Sequence, residues 1–506
     1  MRVLYQSHQE YTVELAKLLF GSLGWAPVFW LTGRSTQKKI TKNFPDTKVF
    51  PYLNSVKGYV AECIRDRMPN DAPSDLVNHV LAKKDVLYYM MDRNDSGNSF
   101  QELEKERFLL HLIRVWFNLI EHTKPSVLIF EEEPHQASDY VLYLISKKIG
   151  KKIIMFRRAF FQDLIFATTE FENPPQKLLE VYEENILSKD SRLSEFLTTH
   201  FNLISDSLYD GVRKRTLWNV DPTNENQEAI GKTFCRKIGE YYQKLKFALS
   251  IVGGTYHNDQ KEVGKNITDS NMSFFTFRRI IQKTIKRNAK LLDYYNNLCE
   301  PIPNGTDKFI YFPLHYQPER TTCPLGGEFT RQEKAVDYLL SSLPGNWLIC
   351  IKEHPRTFSE KYARYSKNYR SEQLYDYFAS HPCIRLISFQ TNSFELIDRS
   401  AAVATISGTV AWESVIRGKY AMMFGFGWMR GCEGVLFTST KTDIERALEI
   451  IASNRRPNIE KIKSFASALE SISFNGAVGG TSSLRNKGIS VEENGQAHFE
   501  AVKNII

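Results

Sequence analysis

The chain has no Cys-x-x-Cys pair, and its seven cysteines (Cys63, Cys235, Cys299, Cys323, Cys350, Cys383, Cys432) are scattered and odd in number. That pattern argues against a zinc site or a disulfide framework and fits free thiols in a reducing compartment. No apolar run approaches the roughly 18 residues a membrane-spanning helix requires. The opening residues, MRVLYQSHQEYTVELAKLL, read as a strand entering an amphipathic helix and not as a signal peptide. A cytoplasmic protein is expected, with any membrane contact peripheral. Charge of one sign is also lacking, since 66 Lys+Arg against 58 Asp+Glu leave only +8. A nucleic-acid binder would carry a denser basic field. No internal repeat of solenoid period occurs.

What is present fits a folded, soluble chain, with 42% hydrophobic and 25% charged residues. At 506 residues it is too long for one ordinary core, so two domains are expected. Strand-like runs at 2–5, 27–31, 47–50, 126–130 and 152–156 alternate with helical patterns, which predicts a first parallel, Rossmann-like unit over 1–175. A helical insertion interrupts it at about 56–122. Residues 176–305 read as a helix-rich linker or insertion. A second alternating block over 306–455 has strands at 308–314, 347–352, 384–388, 402–406 and 420–424. Residues 456–506 read as a helix and then, after Ala466, a loosely ordered tail. The fold class expected is α/β, with two Rossmann-like domains facing a cleft.

In an open parallel sheet, ligands bind beyond the carboxyl ends of the strands. In the second unit those ends deliver His315 to Arg320, Glu353 to Arg356, Ser407-Gly408-Thr409 and Gly425 to Trp428. The Ser407-Gly408-Thr409 turn directly precedes a helical pattern, where free N–H groups and the helix dipole suit a phosphate. The same residues also serve as an ordinary cap with nothing bound. Glu413, one turn further, is placed to accept hydrogen bonds from a ribose diol.

Fewer than one His-Pro pair is expected by chance, and the chain has two. His381-Pro382 precedes its strand; His354-Pro355 follows one, flanked by Lys352 and Arg356. His354 there can donate to a phosphate oxygen or protonate a leaving group. Glu319 is the candidate carboxylate for chemistry, and Gln317, Lys352 and Arg356 are candidates for binding the donor. In the first unit Glu131, Glu132 and Glu133 follow a strand, where mutual repulsion calls for a cation, a sugar hydroxyl or solvent. Glu131 and Glu133 are candidate base or nucleophile for glycosyl transfer. Arg157, Arg158 and Trp428 are candidates for holding an acidic sugar or acceptor. The segment 274–292 carries six Lys and Arg and no acid, a basic amphipathic helix suited to an anionic membrane or to packing with a solvated face.

Three segments, FIYFPLHYQPERTT (309–322), WLICIKEHP (347–355) and VATISGTVAWESVIRGKYAMMFG (403–425), resemble the capsule-polysaccharide biosynthesis family of bacterial glycosyltransferases, which includes transferases of the acidic sugar Kdo. The resemblance implies a GT-B fold, metal-independent transfer without a cofactor, and a nucleotide-sugar donor on the C-terminal unit. His354 and the Ser407–Thr409 turn would bind the donor phosphate, Glu413 would lie near the ribose and Glu319 at the reacting centre. Arg320, Thr321 and Thr322 after Glu319 depart from the more acidic run of the Kdo transferases. The expected partners are a nucleotide-sugar donor and a surface glycan or lipid-linked acceptor, at the cytoplasmic face of the inner membrane, in a polysaccharide-assembly complex. A nucleotide-sugar epimerase or hydrolase and a non-catalytic scaffold subunit stay open as alternatives.

Overall fold

Two seven-stranded sheets form in the order in which the sequence alternates. In the first, β1 (Arg2–Gln6), β2 (Ala26–Thr32), β3 (Lys48–Pro51), β4 (Val127–Phe130) and β5 (Lys152–Arg158) run parallel, and β6 (Leu164–Thr168) pairs antiparallel to β5. The second contains β7 (Cys299–Glu300), β8 (Lys308–Pro313), β9 (Trp347–Lys352), β10 (Ile384–Ile387), β11 (Ala402–Thr405), β12 (Tyr420–Met423) and β13 (Val435–Phe437), all parallel. A last strand, β14 (Phe474–Asn475), returns to the first sheet, antiparallel to β6. The computed structural model describes residues 1–65, 68, 71–95, 100–159, 164–206, 274–304, 307–317, 319–359, 369–479 and 488–506.

The strand orders are β14-β6-β5-β4-β1-β2-β3 and β13-β12-β11-β8-β9-β10-β7. Each sheet therefore reverses its winding once, between β1 and β4 and again between β8 and β11. Such a reversal opens a crevice at the carboxyl ends of the two central strands. The expected α/β architecture of two Rossmann-like units is the one found. Central strands such as Val127–Phe130 and Ala402–Thr405 are buried throughout, because helices cover both faces of a parallel sheet. Helix starts follow local chemistry: Asn392 Oδ1 accepts from the N–H of Phe394 (2.7 Å), and Thr440 with Asp443 forms a reciprocal cap.

Between β3 and β4 the chain is helical, with helices at Ser74–Leu81, Lys84–Arg93 and Glu102–Thr123. They share one core with β4, the helix Ala137–Lys148 and, from the second unit, Cys323 and Leu325. After residue 175 the helices Gln176–Leu187 and Glu195–Ser205 pack into a core with Trp412 and Phe465, joining the second unit instead of only linking. The stretch read as a loose tail differs most. Ile459–Ser471 is helical past Ala466, and Val491–Lys503 is a capped helix whose Phe499, Ala501 and Val502 are buried against the first unit's Leu15 and Ala16. Its apolar residues are spaced among Glu, Asn and Gly, which hid the periodicity.

Among the described residues, no helix is long and apolar enough to cross a membrane. Cys63, Cys299, Cys323, Cys350, Cys383 and Cys432 are free thiols, and Cys235 lies outside the described residues. The basic segment lies in the helix Phe274–Asn297. There Arg279, Lys283, Lys286 and Lys290 are exposed, while Asn288 donates to the carbonyl of Thr357 (3.2 Å) and Tyr295 is buried in the second unit's core. The side chains of 274–278, 280 and 281, including the leading Phe274 and Phe275, lie outside the described residues.

Candidate active site

The reversal in the second sheet is where its polar turns converge. The β8–β11 ladder holds only two residue pairs, Ala402↔Ile310 and Val403↔Tyr311, and the strands then part. His315, just beyond β8, enters that gap and its Nε2 meets Thr405 Oγ1 at 2.9 Å. Burial and then Arg370 hold the His315 imidazole down at about 4, so it is neutral. Gly408 passes against this ring: a Cβ there would lie 2.8 Å from Thr405 Oγ1 and 3.0 Å from His315 Cε1. Only glycine fits the approach.

Behind the turn, Glu353 and Arg370 form a buried pair, Nε–Oε2 2.5 Å and Nη2–Oε1 3.1 Å, with Tyr375 donating to Oε2 at 2.8 Å. Arg370 also donates to the carbonyl of His315 and to Gln317 Oε1. One guanidinium thus fixes both loops that follow β8 and β9. Sequence reasoning missed Arg370 because no motif adjoins it. Glu353 is obscured by the His-Pro pair that follows it.

His354 Nδ1 accepts the N–H of Arg356 at 3.1 Å, which puts the ring proton on Nε2. Burial, followed by the charge of Arg356, holds this imidazole at about 3. A protonated His354 acting as acid is therefore corrected to a neutral donor through Nε2–H. Arg356 Nη1 meets Glu319 Oε1 at 3.0 Å. Burial raises the Glu319 carboxyl and Arg356 opposes the shift. Glu319, beyond β8, and His354 and Arg356, beyond β9, are thus brought together at one edge of the second sheet.

Four other readings change. Gln317 is buried, and its amide is engaged by Tyr89, the Thr330 carbonyl and Arg370, so it braces the loop. Lys352 turns toward the next crossover, donating to Thr391 O (2.9 Å) and Ser393 Oγ. Trp428 packs among Trp412, Met429 and Phe465 as core. Arg158 points away from Arg157, because neighbours on a strand alternate faces, and it donates to the carbonyl of Val478.

The Ser407–Thr409 turn is partly occupied by its own contacts. Ser407 Oγ donates to Thr321 O, tying down the loop that carries Glu319, and the Gly408 N–H donates to Thr405 Oγ1 (3.2 Å). Thr409 Oγ1 meets Glu413 Oε1 at 3.4 Å. The helix behind it, Val410–Ile416, has seven residues, so its dipole adds little.

At the first sheet's reversal the acidic run divides. Glu131 is 4% exposed; its Oε2 accepts from Ser7 Oγ (3.2 Å) and the His8 N–H (3.3 Å), and burial raises its carboxyl. Glu133 pairs with buried Arg157, Nε–Oε1 2.6 Å. Burial would raise the Glu133 carboxyl, but Arg157 and Arg320 together hold it below the ordinary range. Cations therefore relieve the clustered charge. One of them comes from the other unit: Arg320 Nη1 contacts Glu132 Oε2 and lies 3.2 Å from Glu133 Oε2. Arg93 reaches back, donating to the carbonyl of Cys323 at 2.9 Å.

No family model and no curated protein matches this chain. Among solved structures it is similar to a UDP-GlcNAc 2-epimerase from Methanocaldococcus jannaschii (12% identity, 93% of this chain and 98% of that one covered, TM-score 0.25). It is also similar to the KpsC beta Kdo 2,7 transferase of Thermosulfurimonas dismutans (9%, 70% and 80%, TM-score 0.28). A third is Anabaena Alr3699/HepE in complex with UDP and glucose (10%, 100% and 97%, TM-score 0.26). At these identities and TM-scores none of the three bears on what this chain binds. The architecture, two α/β units each reversing its winding once, rests on its own strand orders.

Proposed function

We propose that the protein transfers a glycosyl group from a nucleotide-sugar to a glycan hydroxyl, with the donor on the second unit and the acceptor entering from the first. The observation that supports this reading is Arg320, which leaves the second sheet's carboxyl edge and joins Glu132 and Glu133 at the first sheet's. The two sheet edges thereby meet, with Arg320 and Arg356 on one side and Glu132 and Glu133 on the other. Arg356 and the Nε2–H of His354 are suited to the leaving phosphate, whose charge grows as the glycosidic bond to it breaks. Glu319 orients Arg356 and lies at the reacting centre. The resemblance of 309–322, 347–355 and 403–425 favours an acidic sugar such as Kdo on CMP, delivered to a surface polysaccharide or lipid-linked glycan. The exposed lysines of Phe274–Asn297 would rest on the anionic inner membrane.

A thermal-shift screen with CMP, UDP, GDP and dTDP tests the donor site first. One nucleotide should stabilise the fold in proportion to the logarithm of its concentration, by ~2.7 kcal/mol at a hundredfold excess over Kd. His354→Ala should lose most of that shift while still unfolding cooperatively, at a cost of about 1 kcal/mol for the lost Arg356 N–H acceptor. Silence with all four nucleotides supports the scaffold alternative. Conversion of a nucleotide-sugar without any acceptor supports the epimerase.

A further inference from the structure

His8 stands at the carboxyl end of β1, beside the first sheet's reversal, and both its backbone and its ring are held. Nδ1 lies 3.4 Å from Glu131 Oε2, the oxygen that also accepts the His8 backbone N–H. Thr36 Oγ1 donates to the His8 carbonyl at 2.8 Å. The ring stacks on Tyr52, centroids 5.6 Å apart, and the Tyr52 hydroxyl is itself fixed by Asp139 Oδ2 at 2.7 Å. Yet the His8 side chain is 45% exposed, against 4% for Glu131. A substrate hydroxyl can meet the imidazole; the carboxylate behind it is screened. Nε2 has no hydrogen-bond partner among the described residues.

A carboxylate 3.4 Å from Nδ1 favours the tautomer with its proton there, which leaves Nε2 as the acceptor. We propose that His8 is the base that takes the acceptor hydroxyl's proton, with Glu131 as its positioning residue. This rests on the transferase reading above and reassigns Glu131, which the sequence alone puts forward as the base or nucleophile. In the step, the acceptor O–H gives its proton to Nε2 while its oxygen bonds the anomeric carbon. The bond from that carbon to the donor phosphate breaks, and the phosphate leaves with the electron pair. The imidazolium lies against Glu131 until it releases its proton to solvent. One displacement of this kind inverts the anomeric centre.

The test measures nucleotide release from CMP-Kdo, UDP-glucose, GDP-mannose and dTDP-rhamnose, with minus without a mixture of tagged oligosaccharides. With the donor that the full chain uses, His8→Ala should lower acceptor-dependent kcat ~100-fold or more. Its nucleotide-induced thermal shift should match the parent's, which shows the variant is folded. Added imidazole should restore part of the rate to His8→Ala and none to Glu131→Gln, where the base is present but mispositioned. A His8→Ala rate within about threefold of the parent, or a product that retains configuration, overturns the His8 assignment and leaves the transferase reading standing. A parent that turns over none of the four donors overturns both.

Discussion

Each unit buries one arginine–glutamate pair behind its reversal point, and the two pairs do different work. In the second unit Arg370 and Glu353 are wholly interior, and Arg370 ties together the loops after β8 and β9. In the first, Arg157 holds Glu133, but the other oxygen of Glu133 is shared with Arg320 from across the cleft. The second pair organises one edge; the first is half of a bridge between edges. Equal winding thus repeats the reversal, while the residues just past the strands set His315 against Thr405 and Gly408 at one and the Glu131–Glu133 run beside His8 at the other.

Removing one cation from each unit breaks this comparison most severely. Arg370→Ala leaves Glu353 buried and uncompensated and should cost about 3–5 kcal/mol in denaturant unfolding. Arg157→Ala should cost clearly less, on the order of 1–2 kcal/mol, because Arg320 still faces Glu133. Equal losses would mean that the bridge carries no charge compensation.

The next effect belongs to the first unit's interior. Burial raises the Asp139 carboxyl to about 7, with the Tyr52 hydroxyl opposing the rise and Glu132 and Glu131 adding to it. Its folded-state value lies above its unfolded one, so the folded state binds the extra proton between about pH 4 and 7. Stability should therefore fall as pH rises through that window, by on the order of 2–4 kcal/mol, and stay low above it. Asp139→Asn, which keeps an acceptor for Tyr52, should flatten that slope and be the more stable protein at pH 8. Urea titrations at pH 5 and pH 8 check it.

The smallest change probes the second unit's pocket. Gly408→Ala forces a methyl into Thr405 Oγ1 and His315, and should destabilise by about 1–3 kcal/mol. It should also weaken the nucleotide thermal shift, whereas Gly345→Ala, with open space around its Cβ, should leave that shift intact.

Much of the fold is legible from periodicity. Trp347–Lys352, Val410–Ile416 and Lys441–Ala452 begin and end where apolar spacing and cap residues place them. The short strands β7, β13 and β14 escape because two or three residues show no alternation, and their pairing is decided by distant partners. At the site, Glu319, His354, Arg356 and the Ser407–Thr409 turn stand out because they follow strands directly. Arg370 adjoins no motif, and His8 and Arg320, though each lies beyond a strand, meet partners 123 and 187 residues away in the chain.

The amino-acid order alone determines where strands end and which polar residues emerge there, because backbone hydrogen bonding and side-chain spacing are local. Which of those residues turn inward as braces, as Gln317, Lys352 and Trp428 do, is decided only when the layers close. Burial leaves a polar or aromatic group no alternative to the partners it finds there. The ion pair that joins the two sheet edges, Arg320 with Glu132 and Glu133, is likewise a property of the folded chain, since it exists only between surfaces brought face to face.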